Sequence, residues 1–345
     1  MTTPPSSETK TARHRQSTEA VTPRGGRLWI IGPGAIGRLL AVRIASARAG
    51  DLASQGKSSL PEILLIGRQA PSSQETSIEM TTPSGELVIQ KITNSSIGSM
   101  EYLPKETPMA IWITTKAYGV EDAWATLQQH ISSSTPITCW QNGLSAQPWL
   151  AEQHSGLLCA STTEGAWLPE SHSPQRLPVQ HAGHGQTWLG PWATTGMASA
   201  ASIVDAHQQI DWLTRAGFSS NTADNMQEHL WHKLAINAAI NPLVARYRIR
   251  NGQLRDRPFS LLVRQAVSEI SAVLNAKQIS PPPQGWQALI DDVIRTTANN
   301  RASMLQDVLA GRPTEIAAIL GPIRSTAAQY GLQLPLLDQL YRELN

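Results

Sequence analysis

The 345-residue sequence predicts an α/β domain built on a doubly wound parallel sheet, followed by an all-helical domain. Before about Ala200, short apolar runs alternate with helical segments, whereas long helical periodicity dominates after it. The chain is also longer than a single hydrophobic core usually supports. We therefore expect a tail at residues 1–25, a sheet domain at 26–205 and a helical domain at 206–345.

Composition and charge exclude several classes of protein. The 28 Lys and Arg residues against 26 Asp and Glu give a net charge of only +2, so no nucleic-acid partner is expected. Two cysteines in apolar surroundings argue against a disulfide framework and favour the cytoplasm. The sequence contains no uninterrupted apolar window of about 18 residues, so no membrane span is expected. Residues 1–25 are rich in Ser, Thr and Pro and predict a disordered tail; Glu8 and Glu19 disfavour an organellar transit peptide.

The first chemical motif is a glycine loop within Arg27–Arg48, "RLWIIGPGAIGRLLAVRIASAR". Its order is apolar strand, glycine loop and helix, and its glycines have the G-x-G-x-x-G spacing of a Rossmann dinucleotide-binding domain. The first glycine permits the tight turn, the second lets the backbone approach a pyrophosphate, and the third lets the helix pack on the strand. The helix N-terminus favours the phosphate charge. The candidate cofactor-binding residues here are Gly32, Pro33, Gly34, Ala35, Ile36 and Gly37.

The residue that ends the next strand indicates which dinucleotide binds. The apolar run Glu62–Arg68 predicts the second parallel strand, and it ends in a basic residue with no carboxylate before Glu75. An NAD site usually offers an acidic side chain to the ribose hydroxyls, whereas an NADP site offers a basic one to the 2′-phosphate. Arg68 therefore favours NADPH, although a solvated loop arginine is the alternative.

Two later strands end in polar residues. Ala110–Lys116 and Pro136–Gly143 are predicted strands with a helix between them, so Lys116 and Asn142 fall at the carboxyl edge of the sheet. Parallel sheets bind ligands at that edge. Both are candidates for contact with cofactor and substrate, with a solvated lysine and an Asn-Gly turn as the alternatives.

The section from about residue 151 to 192 is irregular and predicts the closing strands of the first domain. It holds several histidines, of which only His181 and His184 are close in sequence. That pair has no Asp, Glu or Cys partner at ligand spacing, so we expect no metal site.

A row of polar residues interrupts an otherwise apolar helix in the second half. Within Glu228–Tyr247, Lys233, Asn237 and Asn241 recur every four residues, which places them in an arc of roughly 80°. Apolar residues occupy nearly every other direction, so little of the helix is left to face water. Burying unpaired polar groups costs on the order of 1–3 kcal/mol each, and a polar ligand in a cleft would supply partners. Pro242 should kink the helix beside Asn241.

These motifs together resemble the ketopantoate reductases, or 2-dehydropantoate 2-reductases, of the 6-phosphogluconate dehydrogenase-like group. The resemblance runs from about Gly26 to Asn345, and its motifs come in the family's order. They are "GPGAIG", "TTKAYGVEDA", "QNGL", "HKLAINAAINPLVA", "NGQL" and "SMLQDVLAGRPTEI". The resemblance implies a Rossmann domain followed by a helical C-terminal domain.

The resemblance also implies roles for the residues that match. Lys233 matches the family's catalytic lysine, the general acid that protonates the ketone oxygen. Asn237 and Asn241 match amides that bind the substrate's hydroxyl groups, and Ser303 matches a serine that contacts its carboxylate. Glu315 matches an acidic residue near the lysine, although its place after Pro and Thr also suits a helix N-terminus.

On the sheet side, the resemblance assigns Lys116 and Asn142 to positions that flank cofactor and substrate, and Arg68 to the 2′-phosphate. Desolvation would lower the pKa of Lys233 toward the working pH, while Glu315 would oppose that shift. The implied reaction is reduction of 2-dehydropantoate to (R)-pantoate with NADPH, a step toward pantothenate and coenzyme A.

Several features leave alternatives open. The tail, the polar insertion after the first helix and the eleven tryptophans depart from the family pattern, and the tryptophans suggest an altered pocket. Another branched 2-keto acid is therefore an alternative substrate. A non-catalytic NADP(H)-binding sensor is an alternative of a different class. We expect a small-molecule substrate as the partner and either a monomer or a homodimer.

Overall fold

The computed structural model describes residues 26–69, 73–98, 107–170, 176–192 and 198–345. The predicted disordered tail at residues 1–25 lies outside them. The described residues form eleven strands and ten helices.

The strands are β1 Arg27–Ile31, β2 Glu62–Gly67, β3 Glu75–Thr81, β4 Leu87–Ser96, β5 Ala110–Ile113, β6 Ile137–Cys139, β7 Leu158–Thr162, β8 Gly165–Trp167, β9 Arg176–Gly183, β10 Gln186–Pro191 and β11 Ser219–Thr222. The helices are α1 Ala35–Gln55, α2 Val120–Leu127, α3 Ala146–Gln153, α4 Ala200–Arg215, α5 Met226–Tyr247, α6 Phe259–Ala276, α7 Gly285–Thr296, α8 Ser303–Leu309, α9 Ile316–Gln329 and α10 Pro335–Leu344.

The strands form one mostly parallel sheet in the order β11-β10-β7-β6-β5-β1-β2-β4-β3-β9-β8. From β1 the chain first adds β2 on one side and later β5 on the other, and both pairs are parallel. This reversal makes the end of β1 the topological switch point, where open α/β sheets bind ligands. The predicted fold class, a doubly wound sheet domain followed by a helical domain, is confirmed.

Each face of the sheet has its own hydrophobic core. Trp29 and Ile31 of β1 face the core that includes α5, whereas Leu28 and Ile30 face the core that includes α1. Both faces are covered, so β1 is apolar throughout rather than alternating. Seven of the eleven tryptophans are buried. Most of the tryptophans therefore contribute to packing.

Helix α5 is the centre of the helical domain and packs against α6, α7, α8, α9 and α10. It begins where the side chain of Asn225 accepts a hydrogen bond from the Glu228 amide, and it continues through Pro242 to Tyr247. Its buried residues point in nearly every direction, as the sequence predicted. In the described part of the chain, no helix combines the length and apolar character that a membrane span needs.

The structure corrects the expected boundaries. The division expected between residues 205 and 206 falls within α4, and β11 beyond it pairs with β10, so the elements of the sheet domain continue to Thr222. The polar insertion after the first helix is largely helical, because α1 continues to Gln55 before Gly56 ends it in a left-handed conformation. The sequence did not predict β3, β4, β8, β9, β11, α3 or α10.

Candidate active site

The glycine loop joins β1 to α1 at the switch point. Gly32 has a φ of +107°, and a Cβ there would lie 2.7 Å from the Thr115 nitrogen. A Cβ on Gly37 would lie 2.2 Å from the Gly32 oxygen, so only glycine allows this helix to pack so closely. A Cβ on Gly34, by contrast, would meet nothing within 4 Å. The loop therefore leaves open space at the N-terminus of α1, as a bound pyrophosphate would require.

Neighbouring side chains fix this loop. The hydroxyl of Thr114 donates to the carbonyls of Ile31 and Gly32 at 3.0 and 2.7 Å. Arg38 donates to the carbonyls of Pro33 and Pro178 at 2.7 and 2.8 Å, and burial lowers its pKa to about 10. Arg38 is thus occupied in holding the loop.

Arg68 follows β2 and is exposed at the same edge of the sheet. Its guanidinium lies 3.9 Å from the point where a Cβ of Gly119 would be, so it lies beside the turn that follows β5. The side chain forms no hydrogen bond with another described residue, which leaves it available to an anion.

Lys233 lies on α5 facing the sheet domain. Its Nζ donates to the carbonyl of Thr162, at the end of β7, over 2.8 Å. Burial lowers the pKa of Lys233 to about 8, and the charge of Glu315 opposes that shift. A lysine with this pKa is protonated at neutral pH yet gives up its proton more readily than a solvated one.

Asn237 and Asn241 continue the row toward the C-terminus of α5. Asn241 is buried and Asn237 is half-buried, yet neither amide forms a hydrogen bond with any described residue. The polar atoms of both amides remain partly accessible to solvent. Two partly covered amides without partners are suited to bind polar groups of a ligand.

Lys116 bridges the two domains. Its Nζ lies 2.9 Å from Asp307 Oδ2 and 3.1 Å from Glu315 Oε2, and both carboxylates come from the helical domain. Burial lowers the pKa of Lys116, but Glu315 and Asp307 outweigh it and the net pKa is raised. Glu315 also accepts a hydrogen bond from the Ala117 amide at 3.1 Å. Glu315 thus connects the domains from the N-cap position of α9, where its side chain makes no capping hydrogen bond.

Asn142 and Ser303 have fewer contacts that connect them to the other predicted site residues. Asn142 is half-buried in a loop pressed against α9, where a Cβ on Gly143 would lie 2.3 Å from the Ala318 oxygen. The Leu144 amide donates to the same oxygen at 3.1 Å, which brings Asn142 to the helical domain. Ser303 is exposed at the first residue of α8, and α8 packs against α5. No contact among the described residues joins Ser303 to Lys233.

Three groups near Lys116 and Lys233 were not predicted from the sequence. Asp307 is buried and also pairs with Arg312, with 3.0 Å between Oδ1 and Nε. The Thr162 carbonyl could not be predicted from the sequence, because every residue has a backbone carbonyl. His229 extends the polar row by one further turn; burial and then the charge of Lys233 lower its pKa to about 4, so it is neutral at pH 7. The four-residue spacing from Lys233 could have revealed it.

One premise about the histidines was wrong. His181 was expected to have no acidic partner, but the connection after β7 brings Glu164 Oε2 to 2.6 Å from His181 Nε2. Sequence spacing could not reveal this pair because it depends on which strands become neighbours.

Family models match both domains. The model described as "Ketopantoate reductase PanE/ApbA" matches residues 28–194, and "Ketopantoate reductase PanE/ApbA C terminal" matches residues 225–345. A curated 2-dehydropantoate 2-reductase of Vibrio cholerae serotype O1 is 31% identical over 91% of this chain and 95% of its own length.

Solved structures share the fold at lower identity. A ternary structure of D-mandelate dehydrogenase with NADH and anilino(oxo)acetate has a TM-score of 0.77 at 20% identity, covering 92% of this chain and 96% of that one. A dimeric ketopantoate reductase from Staphylococcus aureus has a TM-score of 0.68 at 22% identity, covering 92% and 97%. With both halves matched by the family's models and a relative aligned over nearly its whole length, the chain belongs to the ketopantoate reductase family of oxidoreductases.

Proposed function

We propose that the protein reduces 2-dehydropantoate to (R)-pantoate with NADPH, as a step toward pantothenate and coenzyme A. In this reaction the ketone carbon gains a hydride and the ketone oxygen gains a proton from the Lys233 ammonium. Negative charge builds on the oxygen during hydride addition, so a positioned ammonium both stabilises the charge and neutralises it.

The observation that carries this proposal is the row on α5. Lys233 combines a pKa of about 8 with an Nζ held by the Thr162 carbonyl. Asn237 and Asn241 follow on the same face with amides that have no partner among the described residues. A proton donor beside two open amides suits a substrate that carries a ketone and a hydroxyl group.

The glycine loop and the edge beside it fit a dinucleotide. Gly34 leaves room for the pyrophosphate, with Pro33, Ala35 and Ile36 forming the rest of the loop. Arg68 is exposed and its side chain has no hydrogen-bond partner among the described residues, so it would bind the 2′-phosphate and favour NADPH over NADH. When bound, NADPH supplies the hydride.

The remaining residues would orient the substrate. Ser303 would contact its carboxylate from α8, while Lys116 and Asn142 would flank cofactor and substrate from the sheet side. Glu315 would keep Lys233 protonated, because its charge raises the pKa of the lysine, and would hold Lys116 at the cleft.

Turnover of a panel of keto acids tests the proposal. Specificity constants would be measured for 2-dehydropantoate, a simpler branched 2-keto acid and phenylglyoxylate, each with NADPH and NADH. We expect the highest value for 2-dehydropantoate with NADPH. A purified, folded protein that does not oxidise NADPH in the presence of 2-dehydropantoate would contradict the proposal.

Two other functions remain as candidates. The structural likeness to D-mandelate dehydrogenase favours reduction of a different 2-keto acid, and the same panel would then give its highest value with that substrate. A non-catalytic NADP(H)-binding sensor would bind the cofactor and turn over none of them. The dimeric relative from Staphylococcus aureus makes a homodimer the alternative to a monomer, which sedimentation would distinguish.

A further inference from the structure

A second cluster of potential metal ligands lies apart from the α5 row. Glu164 comes from the connection between β7 and β8, His181 from β9, and His184 from the turn between β9 and β10. One ligand atom from each residue lies within 4.8 Å of the other two. The proposed reduction uses none of the three, so their arrangement has no explanation in that chemistry.

Two of the ligands are fixed inside the protein. Glu164 Oε2 and His181 Nε2 are 2.6 Å apart, and their side chains are only 3% and 0% exposed. The other ring nitrogen of His181, Nδ1, is buried with no hydrogen-bond partner among the described residues. Because Nε2 is the nitrogen that faces Glu164, it is the atom of His181 that would bind an ion together with the carboxylate.

The third ligand is at the surface. The ring of His184 lies edge-on to that of His181, with 4.7 Å between centroids, and His184 is exposed. His184 is therefore the ligand at which an ion would enter from solvent.

The local backbone holds these residues together. A Cβ on Gly185 would lie 2.3 Å from the Thr163 carbonyl carbon, so the turn that carries His184 is pressed against the segment that carries Glu164. The Thr163 amide donates to the Gln186 carbonyl at 2.9 Å, and the Gln186 amide returns a bond to the Thr163 hydroxyl at 2.8 Å. The two segments are thus fixed relative to each other without an ion.

The charge of Glu164 acts on Arg43. Burial lowers the pKa of Arg43, and Glu164 opposes that shift. Its guanidinium is engaged elsewhere, since Nε and Nη2 donate to the carbonyls of Ala216 and Gly217 at 2.9 and 2.8 Å. Arg43 therefore leaves the carboxylate of Glu164 free to bind a metal ion.

We propose that Glu164, His181 and His184 bind one transition-metal cation of the zinc type. Two imidazoles and one carboxylate are a ligand set that Zn²⁺ accepts in a tetrahedral site, with water in the fourth position. The ion would bind the neutral imidazole of His181 through Nε2, with the ring's proton on Nδ1, and the ionised carboxylate of Glu164. The 2.6 Å contact between them opens by a fraction of an ångström to admit it.

Titration of the full-length chain with metal tests this proposal. After treatment with a chelator and its removal, Zn²⁺ binding would be followed by calorimetry and Co²⁺ binding by visible absorption. We expect one ion per chain and a tetrahedral Co²⁺ spectrum. Absence of binding by the parent protein would overturn the proposal, whatever the activity of the protein.

Two variants locate the site. His184→Ala removes an exposed ligand, so the fold should persist, and Zn²⁺ affinity should fall at least ~10-fold. His207→Ala is the matched control, because His207 is an exposed histidine of α4 whose ring bonds only the Ile203 carbonyl. Zn²⁺ affinity unchanged in His184→Ala, or lost in His207→Ala, would place the ion elsewhere and refute the assignment.

Discussion

At the scale of single residues, Lys233 has two opposing influences on its protonation. Burial lowers its pKa to about 8 and Glu315 raises it, so the lysine is protonated at neutral pH and loses its proton in mildly alkaline solution. A general acid must carry its proton to act. The rate of keto-acid reduction should therefore fall as pH rises through about 8.

The first prediction concerns this pH dependence. In Glu315→Gln the negative charge that raises the pKa of Lys233 is removed, so the pKa of the lysine drops further. The alkaline limb of kcat/KM should then move to lower pH than in the parent, as read from a pH profile of NADPH oxidation. A limb that stays in place or moves to higher pH would contradict the proposed role of Glu315.

The second prediction concerns a variant that lacks the proposed proton donor. Lys233→Ala should reduce turnover by about 100-fold or more, since a positioned general acid typically contributes 10²- to 10⁴-fold. NADPH affinity, measured by fluorescence titration, should change little, because the glycine loop is on the sheet domain. A variant that reduces 2-dehydropantoate as fast as the parent would eliminate this mechanism, whereas loss of both properties would indicate misfolding.

At the scale of elements, α1 and the glycine loop before it contain two glycines, Gly34 and Gly50, that differ in their proposed function. Gly34, at the N-terminal cap, and Gly50, within the helix, both have open space where a Cβ would lie, and neither has a positive φ. The fold therefore permits alanine at both positions. Only Gly34 lies where a dinucleotide would approach.

The third prediction uses this pair. Gly34→Ala should fold normally but raise KM for NADPH by about tenfold, since the added methyl occupies space next to the pyrophosphate. Gly50→Ala is the matched control: it should leave KM unchanged and raise the free energy of unfolding by roughly 0.5–1 kcal/mol, because alanine favours helix over glycine. Equal KM values for the two variants would argue against a cofactor at this loop.

The polar row on α5 was predicted from the sequence, but its contact with the sheet domain was not. Its spacing and its apolar surroundings were readable from sequence. The Thr162 carbonyl that holds Lys233 comes from a strand 71 residues away, which no local pattern indicates.

At the scale of the whole molecule, ion pairs of Lys116 with Asp307 and Glu315 join the two domains. The carboxylates are 5% and 7% exposed, whereas the ammonium is 38% exposed. Solvent therefore screens the lysine and reduces its contribution compared with a fully buried ion pair. Its removal nevertheless leaves two nearly buried carboxylates with less compensation.

The fourth prediction concerns the contribution of these ion pairs to the free energy of unfolding. Lys116→Met should lower the free energy of unfolding by about 1–2 kcal/mol, as read from denaturant unfolding at pH 7. Lys57→Met is the control, because Lys57 is exposed and should change stability by less than about 0.5 kcal/mol. Equal stability of the two variants would show that the bridge contributes nothing measurable.

The raised pKa of Lys116 sets the pH range of this contribution. A lysine whose pKa rises on folding stabilises the protein fully below its unfolded pKa, near 10.5, and loses that contribution as pH rises through the higher folded value. The stability difference between parent and Lys116→Met should therefore be constant between pH 7 and 9. A difference that declines within that range would contradict the raised pKa.

The sequence by itself determined the fold class, the glycine loop, the polar row on α5 and the family, because strand and helix periodicity and glycine spacing are local properties. It predicted a division at residues 205 and 206 that falls within α4. It missed β3, β4, β8, β9 and β11, whose mixed polar sequences only become strands beside their neighbours. Only the tertiary structure decided that Lys116 bonds Asp307 and Glu315, and that Glu164 meets His181. Such pairs join residues far apart in sequence, and only the order of strands and the packing of the two domains bring them within bonding distance.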